Sequence, residues 1–159
     1  KAHCLMFQTL RRDSASSRPA LADYLLIFKK HGENEVAVDP DVTNDEWIKW
    51  ARPIWTGIRE SDTLQYQSAR DDKDDRHICP LQLGFIDRCV RLWSNPGETV
   101  LSPFAGIGSE GYVSLKKGRR FIGCELKPSY WASAVNNMQA IEAEMALPTL
   151  FDIEVEVAP

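Results

Sequence analysis

No stretch of these 159 residues approaches the roughly 20 consecutive apolar residues that a membrane-spanning helix needs. No signal peptide opens the chain, since Lys1-Ala-His-Cys-Leu turns polar too soon. Cysteines are few, and Cys4, Cys79, Cys89 and Cys124 have no CxxC spacing. That pattern argues against a zinc site and, with no secretory signal, against a disulfide framework. A cytoplasmic protein without metal is expected. Positive charge is not in excess either. The net charge of −4 excludes a general DNA-coating protein. Its distribution is uneven: +4 over residues 1–30, −6 over 31–76 and −2 over 77–159. Only the first of these offers a basic surface.

The remaining composition, 43% hydrophobic and 26% charged, is that of one globular domain with a real core. Residues 97–125 organise it. Thr99 to Leu101 is β-prone, and Ser102-Pro-Phe-Ala-Gly106-Ile-Gly108-Ser-Glu-Gly111 follows as a glycine-rich turn. An amphipathic stretch, Tyr112 to Lys117, is closed by Gly118, and a second β-prone run from Arg120 to Cys124 ends on Glu125. Strand, glycine loop, helix, strand and acid make half of a Rossmann-type nucleotide site. Glycine lets the backbone approach a ligand. The helix opening after Gly108 aims N–H groups and a positive dipole end into the crevice. Glu125 follows the first glycine by about 20 residues, the spacing of a carboxylate that accepts ribose hydroxyls.

The glycine pattern alone also permits a nicotinamide-dependent oxidoreductase. Ser102-Pro103-Phe104-Ala105 before the glycines disfavours it, because a nicotinamide loop turns at once. Ser-Pro-Phe-Ala-Gly-Ile-Gly-Ser resembles the Asp-Pro-Phe-x-Gly-x-Gly-Thr motif of DNA amino-methyltransferases, which binds S-adenosylmethionine. Phe121-Ile-Gly-Cys-Glu125-Leu-Lys-Pro128-Ser-Tyr130 resembles their next motif. His77-Ile-Cys79-Pro80-Leu-Gln82 resembles the segment covering the methionine end of the cofactor. The order is that of the permuted class with the catalytic half first, and the likeness is to phage-type site-specific enzymes. Ser102 stands where the family has Asp, and Gln82 where it often has Lys.

The resemblance implies an α/β, Rossmann-like fold that is incomplete in this chain. It implies that Phe104 packs on the cofactor, Gly106 and Gly108 admit it, and Ser109 contacts it near the helix start. Glu125 holds the ribose and Leu126 or a neighbour lines the adenine pocket, while His77, Cys79, Pro80 and Gln82 cover the methionine end. Double-stranded DNA is the implied partner. Its candidate contacts are Arg11, Arg12 and Arg18, in a polar loop that is equally well explained as merely solvated.

Residues 1–30 would end the catalytic half, with Asp23 to Lys30 as a buried strand. Residues 31–76 would form a small target-recognition segment, with a short helix from Asn44 stopped at Arg52-Pro53. Trp47, Trp50 and Trp55 are read as a satellite core rather than base-stacking groups. Residues 77–147 would be the cofactor half. Leu83, Ile86, Val90 and Trp93 make the inner stripe of one helix there, with Asp87, Arg88 and Arg91 turned to solvent. Trp131, Val135, Met138, Ile141 and Met145 make the stripe of another, from Ser129 to about Ala146, with Pro128 in its first turn. Residues 148–159 would be an edge strand or tail.

One element is absent from the sequence. Enzymes of this kind hold the flipped base with an Asp/Asn/Ser-Pro-Pro-aromatic loop. No two prolines are adjacent in this chain. The loop is expected upstream of Lys1, and no catalytic residue is assigned. The rival reading is a non-catalytic cofactor- and DNA-binding module, or half of a split enzyme. An exposed apolar sheet would then favour self-association.

Overall fold

β-branched and aliphatic residues make Thr99–Ser102 extended (β1), and the aromatic and β-branched pair Phe121-Ile122 does so for Arg120–Gly123 (β2). The two strands pair in parallel, Thr99 opposite Arg120 and Ser102 opposite Gly123. Parallel neighbours need a crossover. The helix Ser109–Lys116 supplies it, opening directly after Gly108 as expected. We call it α3. The computed structural model describes residues 23–65 and 80–148. Their other elements are α1 (Asn44–Trp50), α2 (Leu83–Trp93) and α4 (Pro128–Ala146), so the order is α1-α2-β1-α3-β2-α4. The class is α/β, a Rossmann-like βαβ unit with flanking helices. Among the described residues no helix is long and apolar enough to cross a membrane. The tail beyond 148 lies outside them.

The chain divides into two compact units, Lys1–Glu35 and Val36–Pro159. In the first, Asp23 to Lys30 was expected as a buried strand. It is not one: it forms no ladder among the described residues, and Leu26 and Phe28 are 72% and 86% exposed. A continuous apolar run suits a strand covered on both faces, but needs neighbours to pair with. None is present among the described residues.

In the second unit, Ile86 and Val90 of α2 pack on Val113 of α3, with Val100 of β1 against them. The sheet is therefore covered on the side that carries Val100 and Phe121. Leu101 and Ile122, opposite each other on the other face, are 64% and 57% exposed. The α4 stripe differs from expectation. Ala134 and Ile141 are its buried residues, whereas Trp131 and Met145 lie half open. The drift of 3.6-residue geometry carries the stripe's two ends away from the contact.

Residues 36–56 wrap α2. Thr43 caps α1 with a full capping box to Glu46, a device worth about 1 kcal/mol. Trp55 stacks on Trp93 at 6.2 Å and tilts against Phe85, its indole N–H donating to the Trp50 carbonyl at 2.7 Å. Trp50 and Trp55 therefore do form a satellite core, while Trp47 is half exposed. That packing overturns one expectation. Arg88 and Arg91 do not face solvent. The Arg88 guanidinium lies over Trp50 and Trp55, and that of Arg91 lies over Trp50. Arg91 also makes two 2.8 Å bonds to the Glu46 carboxylate. Burial pushes the neighbouring Cys89 thiol up to about 11, so it stays protonated at neutral pH.

Arg119 closes this arrangement. Its side chain is fully buried and donates to the Ser94 and Lys117 carbonyls at 2.6 and 2.7 Å and to Asp41 at 2.9 Å. Partial burial pushes the Asp41 carboxyl up, but the Arg119 and Arg91 guanidiniums outweigh it and hold it below the usual range. Replacing Arg119 by Met strands two carbonyls, and the expected loss is about 2 kcal/mol, read as a lowered urea midpoint. Glu46 supplies an acid-side test. The Arg91 hydrogen bonds, then the Thr43 N–H, lower its pKa from 4.5 to about 2. A depressed folded pKa contributes stability above the unfolded value and loses it as pH falls. Stability should therefore drop between about pH 4.5 and 2, and Glu46→Gln should flatten that drop in a circular-dichroism titration.

Candidate functional site

The glycine loop leaves β1 at Ser102 and re-enters helix at Ser109, and each part of its path has a local cause. Beyond the strands the ladder continues: the Cys124 N–H donates to the Ser102 carbonyl at 2.9 Å and the Ala105 N–H to the Cys124 carbonyl at 2.8 Å. The chain then turns at Gly106 (φ +54°) and at Gly108 (φ +84°). Gly108 is required twice over. Its φ lies in the left-handed region. A Cβ there would also sit 3.0 Å from the Cα and Cβ of Ala134 on α4. Gly111 serves close approach alone, since a Cβ would come within 2.7 Å of the Phe121 ring and 2.8 Å of the Met138 sulfur. That contact lets α3 lie flat on β2.

Two side chains fix the loop. Glu125, just past β2, accepts from the Gly106 N–H through Oε2 and from the Lys127 N–H through Oε1, both at 2.8 Å. Asn137 of α4 donates to the Ile107 carbonyl, also at 2.8 Å. Each Glu125 oxygen retains a lone pair for a further donor. At the α3 start, burial pushes the Glu110 carboxyl up, against a hydrogen bond from its own N–H.

The residues predicted from sequence separate into three groups. Phe104 and Leu126 flank the carboxyl ends of the strands and are 86% and 100% exposed. Two large apolar groups bare to solvent beside a glycine turn make a wall for a flat apolar ligand. Nothing lies within 4 Å of a Cβ built on Gly106, so the space above it is open. Pro103 is exposed too, while Glu125 and Gly106 are half-buried between these groups. Ser102, Ala105, Gly108 and Ser109 are buried and form the underside of the loop. Pro80 and Gln82 are half-buried ahead of α2, where Gln82 is the cap residue but makes no side-chain cap bond. His77, Cys79, Arg11, Arg12 and Arg18 lie outside the described residues. Asn137 was missed. Its one signal was an amide set beside the apolar positions Ala134, Met138 and Ile141.

A family model described as DNA methylase matches residues 11–136. The chain is 31% identical over 118 residues to the Type II methyltransferase M.BglI of Bacillus subtilis, covering 74% of this chain and 30% of that protein. It is 37% identical over 59 residues to the DNA adenine methyltransferase YhdJ of Escherichia coli (strain K12), covering 37% of this chain and 20% of that one. It therefore spans about a third or less of the relatives it matches. Among solved structures it resembles TTHA0409 of Thermus thermophilus, a putative DNA modification methylase crystallised with S-adenosyl-L-methionine. The identity is 27% and the TM-score 0.49, covering 64% of this chain and 35% of that one.

The loop's tolerance can be tested at Gly108. Gly108→Ala combines left-handed strain with the clash against Ala134 and should cost about 2 kcal/mol or more. Thermal unfolding of the variant beside Ser109→Ala, which leaves the backbone path intact, checks this.

Proposed function

The chain belongs to the DNA methylase family, and we propose on that footing that it binds S-adenosylmethionine at the carboxyl ends of β1 and β2. The reaction served is methyl transfer to the exocyclic amino group of adenine or cytosine in double-stranded DNA. One observation carries the cofactor reading: the carboxylate of Glu125 holds the turn at Gly106 between the bare faces of Phe104 and Leu126.

The residues fit the group. The free lone pairs of Glu125 accept the two ribose hydroxyls. Phe104 and Leu126 cover the faces of an adenine ring, and their exposed area is what such a ring would remove from water. The buried start of α3 presents N–H groups and a positive dipole end toward polar parts of the ligand. Pro80 and Gln82, with His77 and Cys79, cover the methionine end, and Ser102 takes the place of the family's Asp beneath it. When bound, the cofactor supplies an electrophilic methyl group. The chain's own task is to orient it and to exclude water around it.

The Pro-Pro loop that would hold the base is not among these 159 residues. The chain thus acts as the cofactor-binding and DNA-contacting portion, with Arg11, Arg12 and Arg18 as phosphate contacts. That absence also favours a second reading, a module that works with a separate catalytic chain.

Titration calorimetry tests the cofactor site. S-adenosylmethionine should bind and NAD should not. Glu125→Gln should weaken binding at least tenfold, or about 1.4 kcal/mol. Equal affinity of the variant would remove Glu125 from the site, and binding of NAD alone would overturn the reading.

A further inference from the structure

A cavity of about 410 Å³ lies between residues 57–62 and the first turn of α2, with Arg59, Ser61, Asp62, Gly84 and Arg88 in its lining. That volume is within the range of sites for single small ligands. Its place follows from chain direction. α2 ends at Trp93 and a short turn at 94–98 leads into β1, so α2 runs back against the strand. Its C-terminus is fixed beside the start of β2, where Arg119 donates to the Ser94 carbonyl at 2.6 Å, and its first turn is the end of the helix away from that contact.

Its chemistry is set by two guanidiniums and one carboxylate. Asp62 is committed to α2: its Oδ2 accepts from the Gly84 N–H at 3.0 Å and its carbonyl from the Leu83 N–H at 2.8 Å. Part of its charge is thereby spent on the helix N-terminus. Arg88 is held in place by Trp50 and Trp55, 5.7 and 5.6 Å from its guanidinium, and by one bond to the Thr56 carbonyl at 3.1 Å. Four of its five N–H groups are not used by that bond. Arg59 is exposed, and among the described residues neither arginine forms an ion pair. Nearby, Arg91 and Arg119 are both paired with acids. In a chain of net charge −4, two arginines that line one cavity and form no ion pair among the described residues favour an anion, and their planar forks suit phosphate oxygens.

We propose that this cavity receives one nucleotide of the DNA substrate. Its phosphate pairs with Arg59 and Arg88, and its polar edge faces Ser61 and Asp62. The inference rests on the reading that the protein acts on DNA, and it adds a contact in residues 57–62 to those at the basic N-terminal loop.

The test measures binding of the full chain to a fluorescent double-stranded oligonucleotide by anisotropy across a salt series. S-adenosylmethionine binding is measured in parallel. Arg59→Gln should weaken DNA binding several-fold at low salt. It should also lower the slope of log affinity against log salt by about 1, the signature of one lost phosphate contact. Arg59→Lys should keep the slope. Both variants should bind S-adenosylmethionine like the parent, which also verifies their folding. An unchanged slope in Arg59→Gln overturns the proposal while leaving the DNA reading standing. Weakened cofactor binding with an unchanged DNA slope also overturns it, and moves the cavity into the cofactor site. A parent chain that binds no DNA overturns both.

Discussion

The carboxylate of Glu125 holds together the two strand ends on which the rest of the site is built. It bonds the N–H of Gly106 in the loop after β1 and the N–H of Lys127 in the turn after β2. With both donors satisfied, the loop keeps its path over α3 while Phe104 and Leu126 stay bare on either side. A turn with unpaired N–H groups would be costly where it is half-buried. The carboxylate that shapes the loop is therefore also the one proposed to receive a ribose, so a substitution there alters the loop together with any ligand contact.

A second set of bonds works at the opposite flank. Asp41, Glu46, Arg91 and Arg119 connect residues 36–46 to α2 and to the start of β2. Exposed ion pairs usually contribute little. Here Arg119 is fully enclosed and satisfies two carbonyls besides its acid, so its main role is to avoid stranding backbone groups in the interior. The tryptophans between these pairs make the wall against which Arg88 is held.

Much of this was legible in the sequence. The strands, the glycine loop and the long helix follow from β-prone runs, Gly108 and Gly118, and Pro128, and their observed bounds differ by a few residues. The pairing of Gly106 with Glu125 was foreshadowed by their spacing, though as two ligand contacts rather than a bond to each other. Other features were not legible, each for its own physical reason. Arg88 and Arg91 look like a solvated helix face because periodicity reports one helix alone, and the Trp50–Trp55 layer comes from a remote segment. Asp23 to Lys30 reads as a buried strand because its composition does not say whether strands stand beside it. Asn137 shows only as an amide beside apolar positions, and its partner, a carbonyl 30 residues away, leaves no local mark.

The way Asp41 reaches two arginines bears on how such a protein can be recombined. Residues 36–46 look like an exchangeable surface segment, polar and outside the βαβ unit. Yet Asp41 contacts Arg91 on α2 and Arg119 beside β2. A graft that brought in a relative's segment without its matching acid would leave an enclosed cation with no counterion. Chimeras in this part of the chain must therefore transfer Asp41, Glu46, Arg91 and Arg119 as one inherited block. A seam for exchange that falls between residues 46 and 91 would cut through these ion pairs.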